Sequence, residues 1–296
     1  MQGTIAQIVA LVVHGNAYFG SAEQAIALPS DHSTLAFCEF VKFVGLTRSG
    51  ENWNETLFAQ DPASWLEELR RGRVNAIRMN YMPSGQNLSG ATDRMLVGFV
   101  AGGGRWLLET TGPNGSDYWE GRWEVGDQNR TDRKIWRVTY GRIAANQPPS
   151  PHASNDLQSL KQRLAKNLTE ISAFAHHQKL DGFAEAFEAG LSNLTSSAPS
   201  TDLYHNDLLT TSMSATAAQL LSAAQSSWVF GGMGSWNDLG FDGEDQRTYE
   251  DLSEDLYKLL NDTIVSAANS TASLTLERSQ PKLQKLQKRS WWRFWA

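Results

Sequence analysis

Short apolar runs and strict alternation of apolar and polar positions dominate the first 145 residues, and both patterns predict β-strands. The run TIAQIVALVVHGNAYF (4–19) is rich in apolar and β-branched residues and indicates a buried strand near the start of the chain. The run LAFCEFVKFVGL (35–46) indicates a second buried strand, although the same run also fits a helix.

A helix signal follows these runs. In DPASWLEELRRG (61–72), Asp61 is suited to cap a helix, Pro62 stands in the first turn and Gly72 is suited to end it. The next segment, VNAIRMNYM (74–82), returns to the pattern of a strand. We therefore expect a helix that flanks a sheet.

The clearest strand pattern lies between Met95 and Ile143. The segments MLVGFVAGG, RWLLETT, DYWEGRWEV and KIWRVTYGR are separated by the turn sequences GPNGS and GDQNRTDR. In the last two segments aromatic residues and Val alternate with charged and polar residues, which places the indoles on one face. The pattern predicts an antiparallel meander with an aromatic face, and four Trp residues lie on these strands: Trp106, Trp119, Trp123 and Trp136.

The second half of the chain has a helical pattern. Leu and Ile recur at intervals of three and four residues from Leu157 to Ile171, and similar stripes follow up to residue 271. The fold class predicted is α+β, with an N-terminal antiparallel β-sheet domain and flanking helix, followed by a C-terminal helical domain. The predicted units are 1–145 for the strand-rich domain, 146–155 for a Pro-rich linker, 156–271 for the helical domain and 272–296 for a basic aromatic tail.

Composition narrows the class of protein. The chain has 296 residues and a net charge of −6, which makes a nucleic-acid partner a poor expectation. Cys38 is the one cysteine, so an intrachain disulfide is impossible and a cytoplasmic location is expected. The apolar neighbours of Cys38 favour a buried, unreactive thiol over a nucleophile. No run of about 20 apolar residues predicts a membrane span.

The segment WVFGGMGSWNDLGFDGED (228–245) raises the question of a ligand loop. Its glycines match neither the dinucleotide-binding nor the phosphate-binding motif, so a helix end at Gly231 or Gly232 is the simpler interpretation. The acidic residues that follow are expected to favour the start of the next helix, and no metal or cofactor is predicted. As a docking loop, it would contact a protein partner through these residues: Trp228, Phe230, Met233, Trp236 and Asn237.

The tail PKLQKLQKRSWWRFWA (281–296) combines basic and aromatic residues. As a helix it would be amphipathic, and its last residues include Trp291, Trp292, Phe294 and Trp295. Such a segment is typical of peripheral contact with an acidic membrane surface or of a protein partner. Docking on the acidic body of the chain and the absence of any specific role are the alternatives that the sequence leaves open.

Catalytic motifs are weak in this sequence. No hydrolase nucleophile motif is present, and no catalytic residue is assigned. His176 and His177 are adjacent on a predicted helix and are expected to be exposed, because neighbouring positions cannot share a face. His205 is expected to be exposed in the same way, with Asp207 as a helix cap.

Three functional hypotheses follow from these patterns. The leading one is a non-enzymatic interaction or adaptor protein that uses the loop 228–245 and the tail. The second is an enzyme with a site between the two domains that uses His14 or His205 with a carboxylate. The third is a carbohydrate- or nucleobase-binding module that uses the indoles of the Trp-rich sheet.

Overall fold

The computed structural model describes residues 1–20, 28–84, 90–100, 102–151, 156–198 and 203–279, with side chains up to residue 272. These residues form one sheet and seven α-helices. The strands are β1 (Cys38–Ser49), β2 (Asn52–Ala59), β3 (Ala76–Met82), β4 (Arg105–Gly112), β5 (Gly115–Val125) and β6 (Trp136–Gln147). The helices are α1 (Gly3–Gly20), α2 (Pro62–Arg71), α3 (Asp93–Leu96), α4 (Leu157–His177), α5 (Asp181–Thr195), α6 (Ala215–Ser226) and α7 (Gly243–Ser279).

The sheet has six strands in the order β2-β1-β6-β5-β4-β3. Strands β4, β5 and β6 are the last three strands of the predicted antiparallel meander, and β3 pairs with β4 where the segment 95–103 was expected. β1, however, pairs in parallel with β6, so the sheet is mixed and the expectation of a purely antiparallel sheet is wrong. Alternation along a strand shows which face is buried, but it does not show which strand lies beside it.

An aromatic core joins α1 and α2 to one face of the sheet. The ring of Phe43 on β1 stacks on Trp65 of α2, with ring centroids 4.3 Å apart, and on Tyr140 of β6 at 5.2 Å. Trp119 of β5 meets both Phe43 and Trp65 edge to face. The Tyr140 hydroxyl donates a hydrogen bond to Gln7 of α1. The alternation in the sequence thus does predict the buried face of the sheet.

Two predicted strands have other structures. Residues 3–20 form α1, which is buried from Ile5 to Val13 on every side, including Gln7. A helix with no exposed side shows no amphipathic period, so periodicity could not separate it from a strand. The first part of the segment at 95–103 belongs to α3 and a turn, because the Thr92 side chain caps a helix there.

The second half of the chain forms the predicted helices, and α4 buries the predicted Leu and Ile stripe. The acidic residues Glu244 and Asp245 lie in the first turn of α7, as expected.

α7 contacts α4 and α6, but also α1 and β3. One hydrophobic cluster contains buried residues from both halves. The division at 146–155 therefore stays a prediction, and residues 152–155 lie outside the described part of the chain.

Candidate functional site

A cluster of polar side chains joins the two halves of the chain. It consists of His14 on α1, His32 and Ser33 at a short 3₁₀ helix before β1, and His205 and Asp207 near the second 3₁₀ helix, Asn206–Leu208. We call these five residues the histidine cluster. Sequence positions more than 170 residues apart meet here, since α1 contacts both 3₁₀ segments.

Asp207 lies at the centre of the histidine cluster. Its carboxylate accepts hydrogen bonds from the Ser33 backbone N–H at 2.6 Å and from the Ser33 hydroxyl at 2.5 Å. Burial raises the pKa of the Asp207 carboxyl, but the two donors on Ser33 and the nearby His32 outweigh it, so the pKa lies below its usual value. Asp207 is therefore ionised at neutral pH and acts only as an acceptor. The sequence suggested that Asp207 caps a helix, but its side chain does not cap the 3₁₀ helix in which it lies.

The two other histidines hold the main chain of Asp207. Nε2 of His14 and Nε2 of His32 are both within hydrogen-bond distance of the Asp207 carbonyl oxygen, at 3.0 and 3.1 Å. A carbonyl can only accept, so both nitrogens carry hydrogen. Nδ1 of His32 is then free to accept from the N–H of Thr34 at 3.2 Å. Burial lowers the pKa of both imidazoles, which favours the neutral form that this network requires.

His205 completes the network. It is 4% exposed, which corrects the expectation that it lies in solvent. Its Nδ1 lies 2.7 Å from the Ser33 hydroxyl oxygen, and its ring meets Tyr204 edge to face at 4.6 Å. Burial lowers the pKa of His205 to about 4, so the imidazole is neutral at physiological pH.

A cavity of about 240 Å³ lies beside the histidine cluster. Its walls include Ser33, Phe37, Trp123, Trp136, Tyr204 and His205. Trp123 and Trp136 are half-buried and meet edge to face, with ring centroids 6.0 Å apart. Tyr204 is 71% exposed, so the wall that it forms is open to solvent. We call this space the aromatic cavity; it combines flat apolar walls with hydrogen-bonding side chains, among them Ser33 and His205.

Cys38 also lines the aromatic cavity, but its thiol stays protonated. The thiol is buried and contacts Gln7 of α1 at 3.5 Å. Burial raises the pKa of Cys38 to about 11, so very little thiolate forms at neutral pH. The prediction of a buried thiol is confirmed.

The predicted docking loop has a different environment at each of its residues. Trp236 is fully buried, donates to Ser253 at 2.7 Å and packs edge to face on Phe187. Asn237 exchanges hydrogen bonds with Arg94 of α3. The remaining predicted contact residues grade from buried to exposed: Phe230 is buried, Trp228 is half-buried and Met233 is fully exposed. Their role in partner binding stays a prediction.

The glycines of this loop do not end a helix. α6 ends at Ser226, and Ser227 occupies the C-cap position, four residues before Gly231. The backbone of Gly231 instead meets Gly98, where an added Cβ would lie 2.3 Å from the Gly231 carbonyl oxygen. The sequence predicted a helix end at Gly231 or Gly232, and this prediction is wrong; the close approach of the two loops instead requires a glycine at position 98.

The structure also describes the adjacent histidines of α4, but not the predicted tail contacts. His176 and His177 are exposed, as expected, and His176 pairs with Glu188 at 2.8 Å. The predicted tail contacts Trp291, Trp292, Phe294 and Trp295 lie outside the described residues. Within the described ranges, no group of three or more His, Cys, Asp or Glu side chains is arranged to hold a metal ion. In the same ranges, no helix is both long enough and apolar enough to cross a membrane.

Sequence reasoning identified part of this site and missed the rest. His14 or His205 with a carboxylate was predicted as an alternative site, whereas His32 and Ser33 were not singled out. The stretch around them resembles ordinary helix-capping sequence, and nothing in their spacing indicates residues 205–207. Comparison with known proteins assigns no family, since no family model, curated protein or solved structure matches the chain.

Proposed function

We propose that the chain binds a small, uncharged cyclic molecule in the aromatic cavity. The observation that carries this proposal is the convergence of two half-buried indoles, Trp123 and Trp136, with the hydrogen-bonding groups of Ser33 and His205. Aromatic faces stack on flat rings, and a few fixed polar groups orient the ligand. A carbohydrate ring or a nucleobase has this chemistry.

The charge of the cavity supports a neutral ligand. Among the described residues, no Asp, Glu, Lys or Arg lines it. Met1 also lines the cavity, and burial lowers the pKa of its amino group to about 5, so this group is largely uncharged at neutral pH. An ion would lose hydration on entering without gaining an opposite charge, which is costly in a largely apolar space. Trp119 belongs to the core rather than to the cavity, so the binding surface differs from the Trp-rich strand face that the sequence suggested.

The enzyme hypothesis draws on the same cluster but is less well supported. A general base works best when its pKa is near the operating pH. His205, with a pKa of about 4, is a weak base at neutral pH. The same low pKa suits a neutral hydrogen-bond acceptor, because the imidazole keeps one nitrogen unprotonated. The lowered pKa of His205 thus supports binding over proton abstraction.

Calorimetric titration of the full chain with uracil, adenine, glucose and indole tests this proposal. We expect at least one of these probes to bind, and Trp136→Leu to weaken that binding about tenfold or more. Trp53→Leu is the matched control, because Trp53 is 59% exposed on β2 and away from the cavity walls. Absence of binding by all four probes, or equal affinity in the two variants, would overturn the proposal.

The adaptor hypothesis is a second candidate with its own supporting observation. Phe99, Val100 and Met233 are 69%, 101% and 100% exposed, and their loops meet where Gly98 lies against Gly231. We call these three side chains the apolar loop cluster. Neighbouring exposed apolar side chains on two loops are typical of a surface that a protein partner covers.

Affinity purification from the native cell extract tests the adaptor hypothesis. We expect partners recovered by the full chain to be lost from Met233→Asp. Leu57→Asp is the control, since Leu57 is 62% exposed on β2 and outside the apolar loop cluster. The same partners on both variants would rule out this surface, and a chain that ends at residue 279 tests the tail separately.

A further inference from the structure

We propose that the aromatic cavity selects ligands that present an N–H or O–H donor to Nε2 of His205. In this proposal Ser33 and Asp207 are positioning residues that fix the tautomer in which Nε2 is an acceptor. The inference rests on the proposed function, since it specifies which uncharged rings the cavity prefers.

The direction of each hydrogen bond follows from proton counting. The Asp207 carboxylate has no proton to give, so the Ser33 hydroxyl donates to it across 2.5 Å. That hydroxyl has only one hydrogen, so it can only accept from His205 at 2.7 Å. Nδ1 of His205 must therefore carry the hydrogen. Asp207, through Ser33, decides the protonation of a histidine that it does not bond directly.

The neutral imidazole has one hydrogen, so Nε2 of His205 carries a lone pair. Among the described residues, no hydrogen bond reaches this nitrogen. His205 is 4% exposed and lines the cavity, so a ligand or water in the cavity can pair with this nitrogen. A ring held by Trp136 that turns an N–H or O–H towards His205 supplies this pairing.

Matched probe pairs separate donor recognition from simple stacking. Uracil is compared with 1,3-dimethyluracil, and indole with 1-methylindole, by calorimetric titration of the full chain. Each pair keeps the ring but replaces the N–H donor by a methyl group. We expect the donor member of a binding pair to bind about tenfold more tightly.

Equal affinity within each binding pair would overturn donor selection while leaving ligand binding intact. Absence of binding by all four compounds and by adenine and glucose would count against both proposals. The two failures are therefore distinguishable.

Two substitutions at Ser33 test the role of the relay. Ser33→Ala removes the hydroxyl between Asp207 and His205, and we expect the affinity ratio within a probe pair to fall towards one. Ser33→Thr retains a hydroxyl and is expected to restore the ratio. A purely structural role would weaken both members of a pair equally and leave the ratio unchanged, which would overturn the relay.

The tautomer itself is measurable without a ligand. Imidazole ¹⁵N chemical shifts of the free protein distinguish a protonated Nδ1 from a protonated Nε2. We expect His205 to carry its hydrogen on Nδ1 in the unsubstituted chain and in Ser33→Thr, and to lose this preference in Ser33→Ala. A proton on Nε2 of His205 in the unsubstituted chain would overturn the proposal directly.

Discussion

At the scale of single residues, His205 shows how burial sets a protonation state. Its imidazole loses hydration inside the fold, and the network around Asp207 supplies one hydrogen bond in exchange. The neutral form is favoured because the charged form has no additional acceptor for its second N–H among the described residues. His14 and His32 also have lowered pKa values, first of all through burial.

These lowered pKa values give the stability of the protein a defined pH dependence. Unfolded histidines bind protons near pH 6.5, whereas folded His205 does so near pH 4. The stabilisation is therefore complete above about pH 6.5 and is lost as the pH falls towards 4. For His205 alone, we expect a loss of roughly 2 kcal/mol in the free energy of unfolding between pH 7 and pH 4.5. Urea unfolding at a series of pH values measures it.

Two variants isolate the contribution of His205. His205→Asn keeps a donor for the Ser33 hydroxyl but does not titrate, so its stability should depend less steeply on pH over this range. His176→Gln is the control. His176 is exposed and Glu188 raises its pKa, so its contribution to stability changes with pH in the opposite direction. Identical slopes in the unsubstituted chain and His205→Asn would contradict this account.

Trp236 lies at the centre of the helical half, although its loop sequence suggests an exposed contact. Its indole is fully buried among Phe183, Phe187 and Tyr249. We expect Trp236→Ala to lower the free energy of unfolding by about 3–5 kcal/mol. The space left by the missing indole cannot collapse fully, and the Ser253 hydroxyl loses the N–H that donates to it. Chemical denaturation measures this change.

Trp53→Ala provides the matched control for this substitution. Trp53 is 59% exposed on β2, so its removal should alter stability by less than about 0.5 kcal/mol. Similar losses in the two variants would show that Trp236 is not a core residue. A partner assay on Trp236→Ala is therefore informative only after its folding has been measured.

At the scale of elements, the free edge of β3 shows how two helices protect a sheet. The N–H and carbonyl of Ile77 bond the side-chain amide of Asn16 on α1, at 2.9 and 2.8 Å. Those of Met79 bond Asn269 of α7 in the same way, at 2.8 and 2.9 Å. Each amide donates one hydrogen bond to the strand and accepts one from it, so it replaces the main chain of a neighbouring strand.

Removing one of these amides should destabilise the fold and expose the edge. We expect Asn269→Ala to lower the free energy of unfolding by about 1–3 kcal/mol, since a partly buried N–H and carbonyl lose their partners. Self-association through β3 should also rise with protein concentration, as measured by light scattering. Asn54→Ala, on the exposed strand β2, should leave both properties unchanged. A monomeric Asn269→Ala chain of normal stability would contradict this role.

At the scale of the whole molecule, α7 couples the two halves. It packs among α4 and α6 but also reaches α1 and β3, and buried residues from both halves form one hydrophobic cluster. The histidine cluster adds polar contacts across the same division. A domain that folds alone needs its own core, and the sheet here shares one with the helices.

We therefore expect one cooperative unfolding transition for the full chain. Near-ultraviolet circular dichroism, which reports on the aromatic core, and far-ultraviolet circular dichroism, which reports on the helices, should give coincident curves in urea. A chain of residues 1–151 lacks α7 and should be much less stable than the whole. Two separate transitions, or native stability in this shorter chain, would instead support independent domains divided at 146–155.

Local patterns in the sequence predicted two kinds of element. These are helices that begin at a capping sequence, and elements that bury their large apolar side chains on one face. Asp61 and Pro62 begin α2, because capping and the first turn depend only on neighbouring residues. Alternation identified β5 and β6, since their large aromatic and aliphatic side chains Trp119, Val138 and Tyr140 share the buried face of the sheet. The Leu and Ile stripe identified α4 for the corresponding reason.

Only the tertiary structure decided the features that depend on distant residues. α1 is surrounded by other elements, so its apolar sequence shows no helical period, and the parallel neighbour of β1 is set by packing rather than by alternation. Likewise, Ser33 and His205 acquire a shared chemistry only because the fold places them 2.7 Å apart. The sequence by itself determined faces and helix starts, because these follow from nearest neighbours along the chain. The candidate site required the three-dimensional arrangement, because hydrogen bonding and burial depend on neighbours in space.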